Sequence, residues 1–277
     1  MNCGACGGVF SNDKIYVKSA IDQTTGTFGV CNFCGSLRVL DKIDYDKLYS
    51  TRESSNYPDK VGILVTLKQF LMRKEARSII QLASTSSARI LDYGCGGGEF
   101  ANAIRKISSL TVHACDMQSD RPSSLMADIP YISVADIGKS DNFDIVVLRH
   151  VLEHMEYPRH ELEIIAKKLT PQGQIFIEVP STQSLFRILL GSRWPGYFFP
   201  FHVHVFSEKG LIELAAQSGL IVKSIKRCNF PIFGVFFMKF GVGRTYARIL
   251  SALLYPVQCM LNYLTNRHEA VQIVLKK

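Results

Sequence analysis

Between positions 91 and 100 the chain reads Leu91-Asp92-Tyr93-Gly94-Cys95-Gly96-Gly97-Gly98-Glu99-Phe100. Glycine at 94, 96 and 98 lets the backbone turn sharply and approach a ligand with no Cβ in the way. Ile90-Leu91-Asp92 reads as a short buried strand. Residues 99–107 read as an amphipathic helix whose first amides face the turn. A strand, a glycine turn and a helix in this order belong to a parallel sheet covered by helices. The glycine spacing also bears on the ligand. A Gly-x-Gly-x-x-Gly loop for a pyrophosphate would put its third glycine at position 99, where Glu99 stands and would repel phosphate. A cationic adenosine ligand without phosphates fits better.

The rest of the chain repeats the strand–helix alternation. Further strands are expected at 111–115, 131–134, 145–148, 174–179, 220–225 and 270–275. Helices are expected at 161–169 and at 207–218, where Ser207 is the N-cap. The fold class is therefore α/β, a doubly wound, mostly parallel sheet of seven strands, which binds ligands beyond the carboxyl ends of its strands. Asp92, Asp116 and Asp136 end the first three strands. Asp92 is placed to accept from an ammonium or a water, Asp116 to take two ribose hydroxyls, and Asp136 to accept from an adenine amino group.

The loop and its acids resemble the class I S-adenosylmethionine-dependent methyltransferases, over about residues 86–227 and the last strand. The resemblance implies a Rossmann-like sheet and S-adenosyl-L-methionine as cofactor. It places Gly94, Gly96 and Gly98 against the methionine part, Asp116 on the ribose, and Asp136 with Ile137 around the adenine. Residues 143–158 resemble the fourth strand and following turn of the small-molecule branch, where Leu152-Glu153-His154 is followed shortly by Pro158. His150-x-x-Glu153-His154 also spells an inverted zinc-peptidase motif, but that enzyme needs a longer helix than Pro158 leaves room for. Residues 200–211 resemble the segment in which a His, here His202, precedes Phe206 and a Ser-capped helix. His154 and His202 are the candidate proton acceptors, because imidazole is suited to that work near neutral pH. His150, His204 and Tyr197 stand in reserve.

Four of the eight cysteines form two Cys-x-x-Cys pairs, Cys3/Cys6 and Cys31/Cys34, each followed by glycine. This spacing suits one tetrahedral structural zinc. Residues 1–45 are expected as a small zinc-ribbon-like domain and 46–85 as a linker, polar over 50–59, with lead-in helices over 61–83. Residues 86–277 are expected as the methyltransferase domain. It carries an aromatic lid insert near 183–206, with Arg193, Trp194 and Tyr197, and a helical insert near 230–266. In that second insert Leu250, Leu253, Leu254, Val257, Leu261 and Leu264 recur at helical spacing and are expected to face the core.

The net charge of +8 is concentrated at the C-terminal end, where 183–277 holds twelve basic and three acidic residues. That bias suits an anionic partner such as a nucleotide-linked sugar. The expected function is methyl transfer to a small molecule, a sugar or nucleotide-sugar first. The alternatives are an RNA methyltransferase and a non-catalytic cofactor-binding subunit. RNA binding fits less well because residues 1–50 hold five basic and five acidic residues and offer no basic grip. No apolar run reaches the ~20 residues of a membrane helix. The start shows no export signal, so a cytoplasmic location is expected, with peripheral membrane contact through 230–266 as an alternative.

Overall fold

A computed structural model describes residues 2–18, 24–45, 48 and 62–277. The polar stretch at 50–59, read as a linker, lies outside these residues. In chain order the elements are β1 (Phe10–Lys18), β2 (Thr25–Cys31), β3 (Leu37–Val39), α1 (Gly62–Ile80), β4 (Arg89–Tyr93), α2 (Glu99–Ile107), β5 (Thr111–Asp116), β6 (Tyr131–Ser133) and β7 (Phe143–Arg149). There follow α3 (Pro158–Lys167), β8 (Leu169–Pro180), α4 (Leu185–Leu190), β9 (His204–Val205), α5 (Glu208–Gln217), β10 (Ile221–Cys228), α6 (Phe233–Lys239), α7 (Arg244–Thr265) and β11 (Ala270–Lys276).

The main sheet has seven strands in the order β10-β11-β8-β7-β4-β5-β6. β6, β5, β4, β7 and β8 run parallel. β11 inserts antiparallel between β8 and β10. The central strand β7 carries Ile145-Val146-Val147-Leu148, all fully buried, because helices cover both faces of the sheet. On one face α2 packs Phe100, Ala101 and Ile104, and α1 adds Ala76 and Ile79. On the other, α3 and α5 contribute Leu162, Ile165, Leu211 and Leu214. Ser207 caps α5 by accepting from the Gly210 amide at 2.9 Å. Among the described residues no helix is long and apolar enough to cross a membrane.

The second sheet, β1-β2-β3-β9, draws on residues beyond the zinc-ribbon-like domain expected at 1–45. Its fourth strand comes from residues 204–205, which pair with Leu37 and Arg38. Three short strands cannot bury an apolar face alone. Here Phe28, Leu37 and Val39 share a core with Trp194, Tyr197 and Phe199. The 183–206 insert, read as a lid, supplies this core, and Trp194 and Tyr197 are buried within it. Buried Glu269, just before β11, ties the insert down. It accepts from Ser184 Oγ at 2.6 Å, Trp194 Nε1 at 3.2 Å and Asn262 Nδ2 at 3.4 Å. Glu269→Ala leaves those donors unmatched inside the protein and is expected to cost about 2–4 kcal/mol. A urea midpoint equal to that of the parent chain would refute this.

Helix α7 also departs from expectation. Leu250, Leu253, Val257 and Leu264 are exposed, at 38%, 69%, 48% and 71%, while Leu254 and Leu261 are half-buried and Leu261 packs against the core of the second sheet. Its buried face is Ala247, Ser251, Gln258 and Asn262. The inward polar residues are there because they complete buried chain. Gln258 Nε2 donates to the Phe230 carbonyl at 2.9 Å, and Asn262 Nδ2 donates to Asn229 Oδ1 at 2.8 Å. Satisfying those groups outweighs burying a leucine stripe.

Candidate active site

The glycine turn between β4 and α2 has positive φ at all three alternate glycines, 75° at Gly94, 53° at Gly96 and 78° at Gly98. They do different work. A Cβ on Gly94 would lie 2.5 Å from Val151 Cγ2, and one on Gly98 2.6 Å from Leu125 Cδ1, so both positions are needed for packing. A Cβ on Gly96 would meet nothing within 4 Å, so this glycine faces open space. Asp116, half-buried at the end of β5, accepts from the Gly96 amide at 2.7 Å and from the Met117 amide at 2.8 Å. It stands at the mouth of the turn, and each carboxylate oxygen retains a lone pair for a ligand hydroxyl.

Asp92 was expected to face the ligand directly. It is instead buried, accepting from the Ala101 amide at 3.1 Å, which ties β4 to α2. Burial pushes its carboxyl up to about 6. Asp136 lies in a 3₁₀ turn at Val134–Lys139, exposed and paired with Lys139 at 2.7 Å, and Ile137 beside it is buried.

A second group of polar residues gathers past the end of β7. His150 takes a positive φ of 54°, a conformation that costs a non-glycine residue about 1 kcal/mol or more. The turn sets its ring between two carboxylates, Nδ1 3.4 Å from Glu153 Oε1 and Nε2 3.1 Å from Glu178 Oε1. Desolvation opposes its charge, but the two acids outweigh it and hold the imidazolium up to about 10. Leu152–His154 forms one 3₁₀ turn, too short for the two-histidine helical face of a zinc peptidase.

His154 Nδ1 donates to the Phe201 carbonyl at 2.9 Å, and His202 Nδ1 donates to the Gly196 carbonyl at 2.8 Å. The two rings meet edge to face, with centroids 4.8 Å apart. His202 Nε2 lies 3.9 Å from Glu153 Oε1. Burial pushes His202 down to about 4, so its ring is neutral. Val151, between His150 and Leu152, is the side chain packed against Gly94, so this group and the glycine turn share a wall. Of the reserve residues only His150 lies here. His204 is buried in β9, stacked on Phe206, and Tyr197 is in the core of the second sheet.

The sequence profile of the methyltransferase-domain family matches residues 69–225. The chain belongs to the S-adenosylmethionine-dependent methyltransferases. It is 26% identical over 168 residues to a ubiquinone biosynthesis O-methyltransferase of Neisseria meningitidis serogroup A, covering 54% of this chain and 71% of that one. Among solved structures, the 1,6-didemethyltoxoflavin-N1-methyltransferase of Burkholderia thailandensis, bound to its substrate and S-adenosylhomocysteine, superposes with a TM-score of 0.52. It is 15% identical, over 93% of this chain and 97% of that one. A cyclopropane synthase of Mycobacterium tuberculosis superposes with a TM-score of 0.51 at 13% identity, over 74% of this chain and 83% of that one.

The methyltransferase also carries charged residues near the site that sequence reasoning missed. Arg149, at the end of β7, makes a bidentate pair with Glu75 of α1, both contacts at 2.6 Å, and its guanidinium lies 4.1 Å over the Phe100 ring. Glu178 sits near the end of β8, buried beside His150. A charge closing an otherwise apolar strand was the available signal for Arg149 and Glu178. Nothing local marks Glu75, which lies 74 positions from its partner.

The four N-terminal cysteines converge. Cys3 Sγ lies 3.7 Å from Cys34 Sγ, Cys6 Sγ lies 3.4 Å from Cys31 Sγ, and all four sulfurs lie within 4.8 Å of one another. Tetrahedral zinc with Zn–S bonds of about 2.3 Å needs sulfurs about 3.8 Å apart, so the four residues fit one ion. Gly7 and Gly35 turn with φ of 73° and 74°, and the Ser36 amide points at Cys34 Sγ at 3.4 Å.

Proposed function

We propose that this enzyme methylates a hydroxyl oxygen of a small-molecule acceptor bound between the glycine turn and the His154/His202 pair. The observation that carries the reading is the wall they share, Val151 against Gly94, with His154 three residues further along and its ring against the neutral His202 ring. The name of the Neisseria relative supports oxygen as the acceptor atom. The sugar or nucleotide-sugar expectation rests on the basic C-terminal third and on the resemblance to sugar methyltransferases that carry a zinc domain, and the comparisons support neither it nor an RNA acceptor.

S-adenosylmethionine, when bound, supplies a methyl group already activated on a sulfonium. Gly96 would make room for it, Gly94 and Gly98 let the turn pack closely beside it, Asp116 would hold its ribose, and Asp136 with Ile137 would border its adenine. Because Nδ1 of His202 and of His154 donates to a backbone carbonyl, each ring turns a basic Nε2 away from that carbonyl. One of these nitrogens takes the acceptor's proton as its oxygen attacks the methyl carbon. Alignment does the remaining work. The Cys3/Cys6/Cys31/Cys34 cluster holds structural zinc.

Turnover with pooled phenolic and sugar acceptors, read by mass spectrometry, tests the reaction. Asp116→Ala is expected to weaken S-adenosylhomocysteine binding by ~1–3 kcal/mol in calorimetry, through lost charge-assisted hydrogen bonds and a loosened Gly96 turn. Binding of NAD in its place, or unchanged affinity, would overturn the nucleotide site.

A further inference from the structure

We propose that Glu153, His154 and His202 form a second metal site, which takes a divalent transition-metal ion of the zinc class beside the acceptor. The proposal deepens the reading above and rests on the acceptor lying at this pair of histidines.

Three observations carry it. One donor atom from each residue lies within 4.8 Å of the other two. Glu153 is fully buried, yet neither carboxylate oxygen accepts a well-formed hydrogen bond. Its nearest cation, the His150 ring, stands 3.4 Å from Oε1, and Oε2 has no hydrogen-bond donor. Finally, both histidines spend Nδ1–H on a backbone carbonyl, at 2.9 and 2.8 Å. That is the outer contact by which proteins fix a metal-ligating imidazole, since it leaves Nε2 as the lone pair. His202 Nε2 faces Glu153 at 3.9 Å, so two acceptors confront each other with no hydrogen between them. An ion between them removes the conflict.

His150 is the rival cation, but it stands nearer to Glu178, at 3.1 Å, than to Glu153, at 3.4 Å. Ligands about 2.1 Å from a tetrahedral ion are about 3.4 Å apart, so binding draws an edge of at most 4.8 Å in by up to about 1.4 Å.

Two imidazoles and one carboxylate suit zinc, cobalt(II), manganese(II) or iron(II), and leave coordination positions open. The acceptor's hydroxyl oxygen fills one. Coordination lowers its pKa, the O–H bond breaks with the proton passing to water, and the oxygen keeps the electron pair with which it attacks the methyl carbon. With the ion bound, the histidines hold it rather than take the proton.

Metal content separates this site from the cysteine site. The full chain, equilibrated with zinc and freed of excess, is expected to hold two ions. Glu153→Gln and His202→Ala should each hold one, with the fold intact by circular dichroism. Should the variants misfold, cobalt titration of the parent chain decides: one equivalent with intense thiolate-to-cobalt absorption, then a second without it. Uptake of a single, thiolate-bound equivalent overturns the proposal. Loss of turnover in the histidine variants of a one-metal protein would leave the methyltransfer reading standing. A two-metal protein that transfers no methyl group to any hydroxyl acceptor would overturn that reading alone.

Discussion

Replacing His202 or His154 by alanine is expected to lower turnover by roughly 10²–10⁴ while S-adenosylhomocysteine affinity is retained. The Nδ1 atoms of both rings are held by the Phe201 and Gly196 carbonyls, outside the glycine turn proposed to take the cofactor. For the enzyme freed of the second ion, in which the histidines take the proton, the pH profile adds a sign. Burial holds His202 down to about 4, so its neutral, proton-accepting form persists well below the range of a free imidazole. The rate should stay flat from about pH 8 to pH 6 and fall only on the acid side, as the ring protonates. A limb near pH 6.5 would take His202 out of the role. Loss of cofactor affinity or of thermal stability in both variants would make the pair structural.

Cys31→Ser is expected to release the zinc and to open residues 2–45 to protease. Structural zinc in small modules contributes apparent binding energies of about 10–16 kcal/mol, and a missing thiolate removes much of that. The damage should spread. β3 pairs with β9, and the Val203 amide, between His202 and β9, donates to the Glu153 carbonyl at 2.8 Å. Loss of the second sheet therefore loosens the segment that carries His202, and turnover should fall together with the metal. Metal analysis and limited proteolysis check the first part. A native chain without metal, or a Cys3–Cys6 disulfide, would sink it.

Much of the fold was legible because it is encoded locally. Positive φ at Gly94, Gly96 and Gly98 is a property of residue type. The helix at 99–107 and the Ser207 cap follow from patterns that span one or two turns. The cysteine pairs need only their spacing. The direction of α7 was not legible, because a leucine stripe at helical spacing is equally compatible with a core and with an outward face. The choice fell to Gln258 and Asn262, whose partners at 229–230 lie about thirty positions away.

Sequence alone determined the order of strands and helices, the glycine turn, the acid that ends β5 and the four-cysteine cluster, since each depends on neighbours along the chain. Tertiary structure alone decided which far-apart groups meet. It paired Arg149 with Glu75, set His150 between Glu153 and Glu178, and joined residues 204–205 to an N-terminal sheet that could not close by itself. Those outcomes depend on buried charges finding partners and on apolar faces finding cover, and neither requirement is carried by residues adjacent in sequence.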